Sequence, residues 1–297
     1  MLKESIRESE QIQSWILLII LSLIWGSSFI LIKKGLDVFS PVQVGTIRMS
    51  FAFLFMVPFV IKNFKNIPKE KWKYIIFTGI VGNLIPAILF SVAQTNIESS
   101  LSGILNALSP LFTLLIAVLL FKYKIRFWQT FGLLIGFIGS IGLSFVNTKG
   151  GMGNMNVYIL LIVLATICYG ISLNVIKEYL NEISSIIITA LALFSIGPLS
   201  LLILFSTDFF QKLSKAPGAY QSLGFIAILG VFGTAIGLVL YTRLVQMTTA
   251  VFASSVTYMI PLVAILWGLF DNEKLYPLHF AGMFLILLGI YIVNRTK

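Results

Sequence analysis

The stretch WGSSFILIK at residues 25–33 returns as YGISLNVIK at residues 169–177, and the reading of the whole chain turns on that echo. Trp25, Gly26, Ser28, Ile32 and Lys33 align with Tyr169, Gly170, Ser172, Ile176 and Lys177 at a constant offset of 144. Further along, Gly79, Gly82, Phe90, Ser102 and Pro110 align with Gly230, Gly233, Tyr241, Ala253 and Pro261 at an offset of 151, and Gly132 and Gly139 with Gly282 and Gly289 at 150. Glycine and proline have special backbone roles, so their recurrence in register marks a duplicated structural unit.

The unit belongs in a membrane. Of 297 residues, 58% are apolar and 11% charged, against about 45–50% and about 25% in soluble domains, and the mean hydropathy is +0.98. A cleaved signal peptide would explain one apolar stretch near the start, whereas these continue to the C-terminus. A bilayer core of about 30 Å asks for roughly 20 apolar residues per helix, because backbone groups in lipid must pair within their own segment. Ten segments qualify: residues 15–32, 41–61, 74–93, 99–121, 127–146, 157–176, 184–206, 223–242, 250–270 and 275–293. They leave short loops and tails and no room for an extramembrane domain. Five spans per copy is an odd number, so the second copy enters the bilayer from the opposite side. The expected architecture is all-α and integral to the membrane, with ten transmembrane helices as two inverted five-helix repeats. Residues 1–14 form a tail, 15–146 the first repeat, 147–156 a linker hinged on Gly150, Gly151 and Gly153, and 157–297 the second repeat. In transporters built this way, substrate sits between the halves near the midplane and rocking exposes it to each side in turn.

With the N-terminus inside, fourteen of the 21 Lys and Arg residues fall on the cytosolic side. Six (Lys33, Lys34, Lys149, Lys212, Lys215 and Lys274) fall on the other, and Arg48 lies within a span. Positive loops resist translocation, so both termini are expected in the cytosol and the chain in the inner (plasma) membrane. The bias resides in the first half; beyond residue 146 the two sides are even. Retained cytosolic lysines explain the net charge of +10 without a nucleic-acid partner. One cysteine, Cys168, and one histidine, His279, leave no disulfide framework and no Cys-based or multi-histidine metal site, so no metal or cofactor is implied. No strand precedes the hinge glycines and no Lys-Ser/Thr pair follows them, so neither a P-loop nor an ATPase partner is expected. An intramembrane enzyme would need a nucleophile with its base, for which these residues offer no machinery.

Three sets of residues carry a family resemblance. Trp25, Gly26, Ser27, Ser28 and Phe29, followed by Pro41 and Arg48, resemble the opening of an EamA repeat. The stretch Asn106 to Pro110, and more clearly Pro261 to Phe270 with Glu273, Lys274, Leu275 and Gly282, resemble its closing proline, Glu-x-Leu and glycine pattern. EamA proteins belong to the drug/metabolite transporter superfamily, and the resemblance runs from about residue 15 to 295. It implies a ten-helix carrier with cytosolic termini and a central cavity lined by the first, third, fourth, sixth, eighth and ninth helices. It also implies small polar cargo, amino acids or related metabolites, often moved outward. One departure stands out: Lys122, Tyr123 and Lys124 occupy the place where the first repeat would carry its glutamate. That glutamate lies at a helix end, so its absence bears on a boundary contact rather than on transport.

Polar residues inside spans are the candidate solute contacts. Arg48 lies about seven residues into the second span, where an unpaired charge costs on the order of 2.5–3.5 kcal/mol. Either it attracts a substrate carboxylate, or it snorkels to the interface or pairs with backbone carbonyls near a helix end. Asn83 beside Gly82 and Pro86, Asn106 with Ser109 and Pro110, and Ser254, Ser255, Thr257 and Tyr258 with Pro261 repeat one arrangement. In it a proline frees a carbonyl and a small neighbour leaves room, which makes a polar-lined wall. Any one of these alone is interhelical glue worth about 0.6 kcal/mol; their recurrence in equivalent helices favours a cavity. Trp25 and Tyr169 lie about ten residues into their spans, too deep for the interfacial aromatic belt. Two such rings facing each other gate or stack upon solute; the alternative is core packing. The cavity set is therefore Trp25, Ser28, Arg48, Asn83, Pro86, Asn106, Tyr169, Ser254 and Tyr258, with no catalytic residue. Asn174 and Tyr241, near span ends, are weaker candidates. Gly132, Gly136, Gly139 and Gly142 allow close helix approach, within a monomer or, alternatively, across a dimer. His279 is read as structural, a proton relay being the other reading.

No carboxylate sits at a midplane. Small multidrug antiporters of the same superfamily use a glutamate inside the first helix, where this chain offers Trp25, Ser27 and Ser28, so drug/proton antiport is an alternative rather than the leading reading. Glu98, at the outer mouth of the fourth helix, is the candidate for coupling. The leading expectation is a secondary carrier exporting small polar solutes by alternating access, its partners being the solute and the bilayer. A non-transporting scaffold is the rival from another class, and solute-induced thermal stabilisation separates the two.

Overall fold

The computed structural model describes residues 2–63, 68–124, 126–146, 155–247 and 256–295, and every element among them is helical. In chain order these are α1 (Leu2–Leu36), α2 (Pro41–Asn63), a 3-10 turn (Lys69–Lys71), α3 (Trp72–Gly79), a π-helical segment π1 (Ile80–Leu84), α4 (Ile85–Ala93), α5 (Ser99–Asn106) and α6 (Ser109–Phe121). They continue with α7 (Phe127–Ser144), α8 (Tyr158–Tyr179), α9 (Ser185–Phe205), a short α10 (Phe209–Lys215) and α11 (Ala219–Ile228). A second π-helical segment π2 (Leu229–Ile236), α12 (Gly237–Met247), α13 (Val256–Phe270) and α14 (Pro277–Arg295) complete the chain.

Seven helical stretches are long and apolar enough to cross a membrane: Ile12–Leu36, Pro41–Ile61, Lys69–Ala93, Ser99–Phe121, Tyr158–Tyr179, Ser185–Phe205 and Ala219–Tyr241. Three of the ten expected spans correspond instead to shorter apolar helices, Phe127–Leu143, Met259–Phe270 and Pro277–Val293. The middle one abuts residues 248–255, which lie outside the described residues. Many large apolar side chains stay on the outside, among them Leu119, Phe127, Leu134, Leu202, Phe270 and Phe284. A helix apolar on all faces yet only partly buried is a helix made for lipid. The protein is membrane-embedded.

Lipid gives no hydrophobic reward for helix association, so close backbone approach must supply it. The most extensive pairings are α7 with α14, α2 with α9, α1 with α13, and α6 with α8. In the first, a Cβ built on Gly132 would stand 2.6 Å from the Gly289 carbonyl oxygen, and one on Gly289 2.5 Å from that of Gly132. Gly139 meets the Gly282 carbonyl in the same way, at 2.8 Å. Gly136 closes on Leu111 of α6, while nothing approaches Gly142 within 4 Å.

Two kinds of interruption break the helices. Pro110 has no N–H to offer the carbonyl of Asn106, and α5 ends there in a turn before α6 begins. The Ser109 hydroxyl donates to that carbonyl instead, at 2.7 Å. In the third span, the expected kink at Pro86 takes a different form. The backbone widens into π1 first, the Ile85 N–H donates to the Ile80 carbonyl, and Pro86 sits in the first turn of α4.

Candidate functional site

The two π-helical segments interrupt the middle of their spans, where single π turns are frequently functional. Each is closed by a side chain reaching back five residues. Asn83 Nδ2 donates to the Thr78 carbonyl at 3.2 Å, and Thr234 Oγ1 to the Leu229 carbonyl at 3.4 Å. In π2 the Gly237 N–H donates to the Phe232 carbonyl, one residue further back than α-helical register. That leaves the Gly233 carbonyl to accept from Trp25 Nε1 at 3.0 Å. In the first half Pro86, which has no N–H, leaves the corresponding carbonyl of Gly82 without its α-helical donor.

Three of the expected cavity residues meet at π2. Trp25 bonds Gly233 as described; the Ser28 hydroxyl lies 3.0 Å from where a Gly233 Cβ would stand; and Arg48 Nε donates to Thr234 Oγ1 at 2.8 Å. Arg48 is half-buried and makes no other hydrogen bond among the described residues. Its partner is therefore a threonine on a π segment, neither of the two structural partners expected from the sequence.

As to the two readings of Trp25 and Tyr169, each ring packs on a neighbour rather than facing the other. Trp25 packs on Tyr241, with ring centroids 5.1 Å apart, and Tyr169 stacks on Phe90 at 6.2 Å. A short residue at each π segment lets α1 and α8 come close enough for this. Asn83 and Pro86 lie on π1 and α4, where Gly82 packs against Ser172 of α8. Asn106, at the α5–α6 break, accepts from Ser109. Ser254 and the side chain of Tyr258 lie outside the described residues. Asn174 is buried and spends its amide on the Thr113 and Gly170 carbonyls, and His279 Nδ1 accepts from the Tyr276 N–H. Both are structural contacts.

One end of the bundle carries an ion cluster that sequence reasoning assembled only in part. Glu273, just beyond α13, has a fully buried side chain seated on the N-terminus of α5. It accepts from the Ser99 and Ser100 N–H groups at 2.9 Å and from both serine hydroxyls at 2.6 Å. A carboxylate at a helix N-terminus with four donors is a strong, charge-assisted arrangement. Lys33 of α1 reaches Glu273 and Asp271 at 2.8 Å and Glu98 at 3.2 Å, while Lys34 pairs with Asp271 at 2.5 Å. Burial alone would raise the Glu273 carboxyl; the Lys33 ammonium and the serine donors outweigh it and hold it down at about 2. Asp271 is likewise lowered, its two lysines outweighing its burial. Glu98, the coupling candidate, is the half-exposed member of this cluster.

A profile of the EamA-like transporter family matches residues 13–145 and again 156–295. An uncharacterized transporter of Archaeoglobus fulgidus is 27% identical over 96% of this chain and 100% of its own length. The uncharacterized inner membrane transporter YedA of Escherichia coli (strain K12) is 25% identical over 93% and 89%. A solved crystal structure, 15% identical, superposes with a TM-score of 0.63 over 94% of this chain and 95% of its own, a likeness of fold. These names point to transport rather than to an enzyme. By a family match along nearly its whole length, the chain belongs to the EamA-like transporters of the drug/metabolite transporter superfamily.

Proposed function

We propose that the protein is a secondary carrier that exports small polar or zwitterionic organic solutes, amino acids or related metabolites, by alternating access between two inverted five-helix halves. The observation that carries the reading is reciprocity. Trp25 packs on Tyr241 as Tyr169 packs on Phe90, and Gly82 meets Ser172 as Gly233 meets Ser28. Gly79 meets the Ala192 carbonyl as Gly230 meets that of Arg48. Every pair exchanges with its partner pair under the offsets of 144 and 151. Contacts that map onto themselves when two units are swapped are the mark of a two-fold axis between them. With five spans per unit, that axis lies in the membrane plane, where such carriers hold their substrate.

Arg48 is then the solute's anchor. Its guanidinium lies beside a π segment, with no carboxylate among its partners in the described residues. Both termini face the cytosol of an inner membrane, and the Lys33 end faces out. Proteoliposome counterflow over a metabolite panel, with and without a pH gradient, tests the function. Wild-type protein is expected to exchange a zwitterionic solute, and Arg48→Gln to lose that exchange by 10-fold or more while still inserting and folding. Retained exchange in Arg48→Gln removes the anchor, and no exchange of any solute by the wild type removes the carrier.

A further inference from the structure

The connectors that follow α6 and α13 are copies of each other that differ in charge. Phe121, Lys122, Tyr123 and Lys124 stand where Asp271, Asn272, Glu273 and Lys274 stand 150 residues later, and Lys122 and Asn272 share the left-handed conformation. In the second copy the connector itself supplies anions: Asp271 and Glu273 hold Lys33, and Asp271 also holds Lys34. In the first copy it supplies none. Lys122, Lys124 and Arg126 are all exposed, and Lys177, the counterpart of Lys33, lies over the Tyr123 ring at 5.0 Å. The chain from Lys122 to Arg126 spans at most about 14 Å, so four cations gather about one tyrosine.

The protein gives these cations no counter-ion. Every ion pair among the described residues lies at the Lys33 end. At the Lys177 end the acids are Glu70, Glu178 and Glu182, and none of them pairs with a lysine or arginine among the described residues. Keeping a loop on one side of a membrane requires only that its cations be present. It does not require that they be gathered beside a cation of the other half and left unanswered. Like charges held this close repel one another, and an anion from outside relieves that repulsion.

The helix that leaves the connector says which anion. α7 opens with Phe127, Trp128 and Phe131, all exposed, their rings edge-on in a run at 5.7 and 6.0 Å. Aromatic side chains of this kind settle at the depth of the lipid head groups, which puts the cations beside them level with the lipid phosphates. A soluble anion would engage the cations and leave the rings bare, whereas a zwitterionic lipid carries a cation of its own to a site already crowded with them. We infer that the α6–α7 connector, together with Lys177, is a binding site for the head group of an anionic phospholipid. The membrane supplies at this end the negative charge that Asp271 and Glu273 supply at the other, and each lysine or arginine near the surface adds to that attraction. The site depends neither on which solute the protein carries nor on the direction of transport.

The test titrates full-length protein in a neutral detergent with phosphatidylglycerol, or with phosphatidylcholine of the same acyl chains, and reads binding as thermal stabilisation. Phosphatidylglycerol should stabilise at the lower concentration. That preference should collapse as salt rises from about 0.1 M to about 1 M, where the screening length falls from about 10 Å to about 3 Å. Glycerol phosphate, the soluble head group, should not stabilise; if it does so as well as the lipid, the ligand is a soluble anion and the lipid assignment is overturned. Lys122→Gln, Lys124→Gln and Arg126→Gln combined should weaken phosphatidylglycerol binding by about 10-fold or more. Because removing three basic charges also bears on insertion, Tyr123→Glu is the second variant. It keeps every cation and adds the carboxylate of the second copy, so it should weaken binding by about 5-fold, while Tyr123→Phe should bind as the wild type does. Lys215→Gln with Lys274→Gln, which removes two exposed lysines at the Lys33 end that pair with no carboxylate among the described residues, should leave the preference unchanged. No preference in the wild type, an unchanged preference in the triple variant or in Tyr123→Glu, or an equal loss in the Lys215/Lys274 control overturns the inference.

Discussion

Glu273 concentrates more of the fold's electrostatics than any residue that sequence reasoning chose for the cavity. Its carboxyl, ordinarily near 4.5, is held down at about 2 because Lys33 and the serine donors outweigh its burial. A carboxyl whose folded value is depressed adds stability that is complete above the unfolded value and drains away as pH falls through the folded one. Thermal stability should therefore decline between about pH 4.5 and pH 2, with Asp271 adding in the same direction. Glu273→Gln should cost about 1.5–3 kcal/mol at neutral pH, the worth of hydrogen bonds to a charged group, and flatten the acid limb, as thermal unfolding across pH would record. An unchanged acid limb in that variant would place the effect on other carboxylates. The glutamate itself was legible as part of a repeat pattern. Its partners were not, because Lys33 lies 240 residues away and Ser99 174 away, and one sequence carries no pairing signal. Arg48 shows the same divide: its cost in a membrane was readable, its Thr234 partner was not.

Among the elements, the spans were read from hydropathy alone, while the π segments were not read at all. Hydropathy reports which residues tolerate lipid, and a register change of one hydrogen bond leaves it untouched. The trace was in the repeat: Pro86 in one copy stands where Gly237 stands in the other, two unrelated residues with one backbone consequence. A proline withholds a donor by chemistry, and π2 redirects one by geometry. Close packing beside these segments makes a sharp prediction. A Cβ at Gly230 would come 2.6 Å from the Arg48 carbonyl oxygen, a backbone atom that cannot swing aside. Gly230→Ala should therefore cost about 1–3 kcal/mol through overpacking. Gly142→Ala, with nothing within 4 Å, should be neutral or stabilising by about 0.4–1 kcal/mol through the unfolded chain. Detergent thermal unfolding of the two variants compares them directly, and equal losses would mean that the packing at π2 is loose.

At the scale of the whole molecule, the two ends are tied differently. Lys122 and Asn272 leave their helices in the same left-handed conformation, at φ 56 and 58, so Tyr123 stands where Glu273 stands in the second copy. Lys177, the counterpart of Lys33, accordingly lies over the Tyr123 ring at 5.0 Å where Lys33 grips a buried carboxylate. A cation–π contact at an exposed site is worth about 0.5–1 kcal/mol, less than a carboxylate sharing Lys33 and four helix-end donors. Under the proposed alternating access, the Lys177 end is the easier one to open. In the proposed orientation that end is the cytosolic one, which suits the proposed export. Tyr123→Glu would give Lys177 the carboxylate that the first repeat lacks and even the two ties. An added tie of one to two kcal/mol shifts an equilibrium by about 5–30-fold, so Tyr123→Glu should slow proteoliposome exchange by up to that factor. Tyr123→Phe, which keeps the ring, should exchange as the wild type does. Equal rates for Tyr123→Glu and Tyr123→Phe would mean that this contact does not hold the gate, and the proposed direction of export would lose this support.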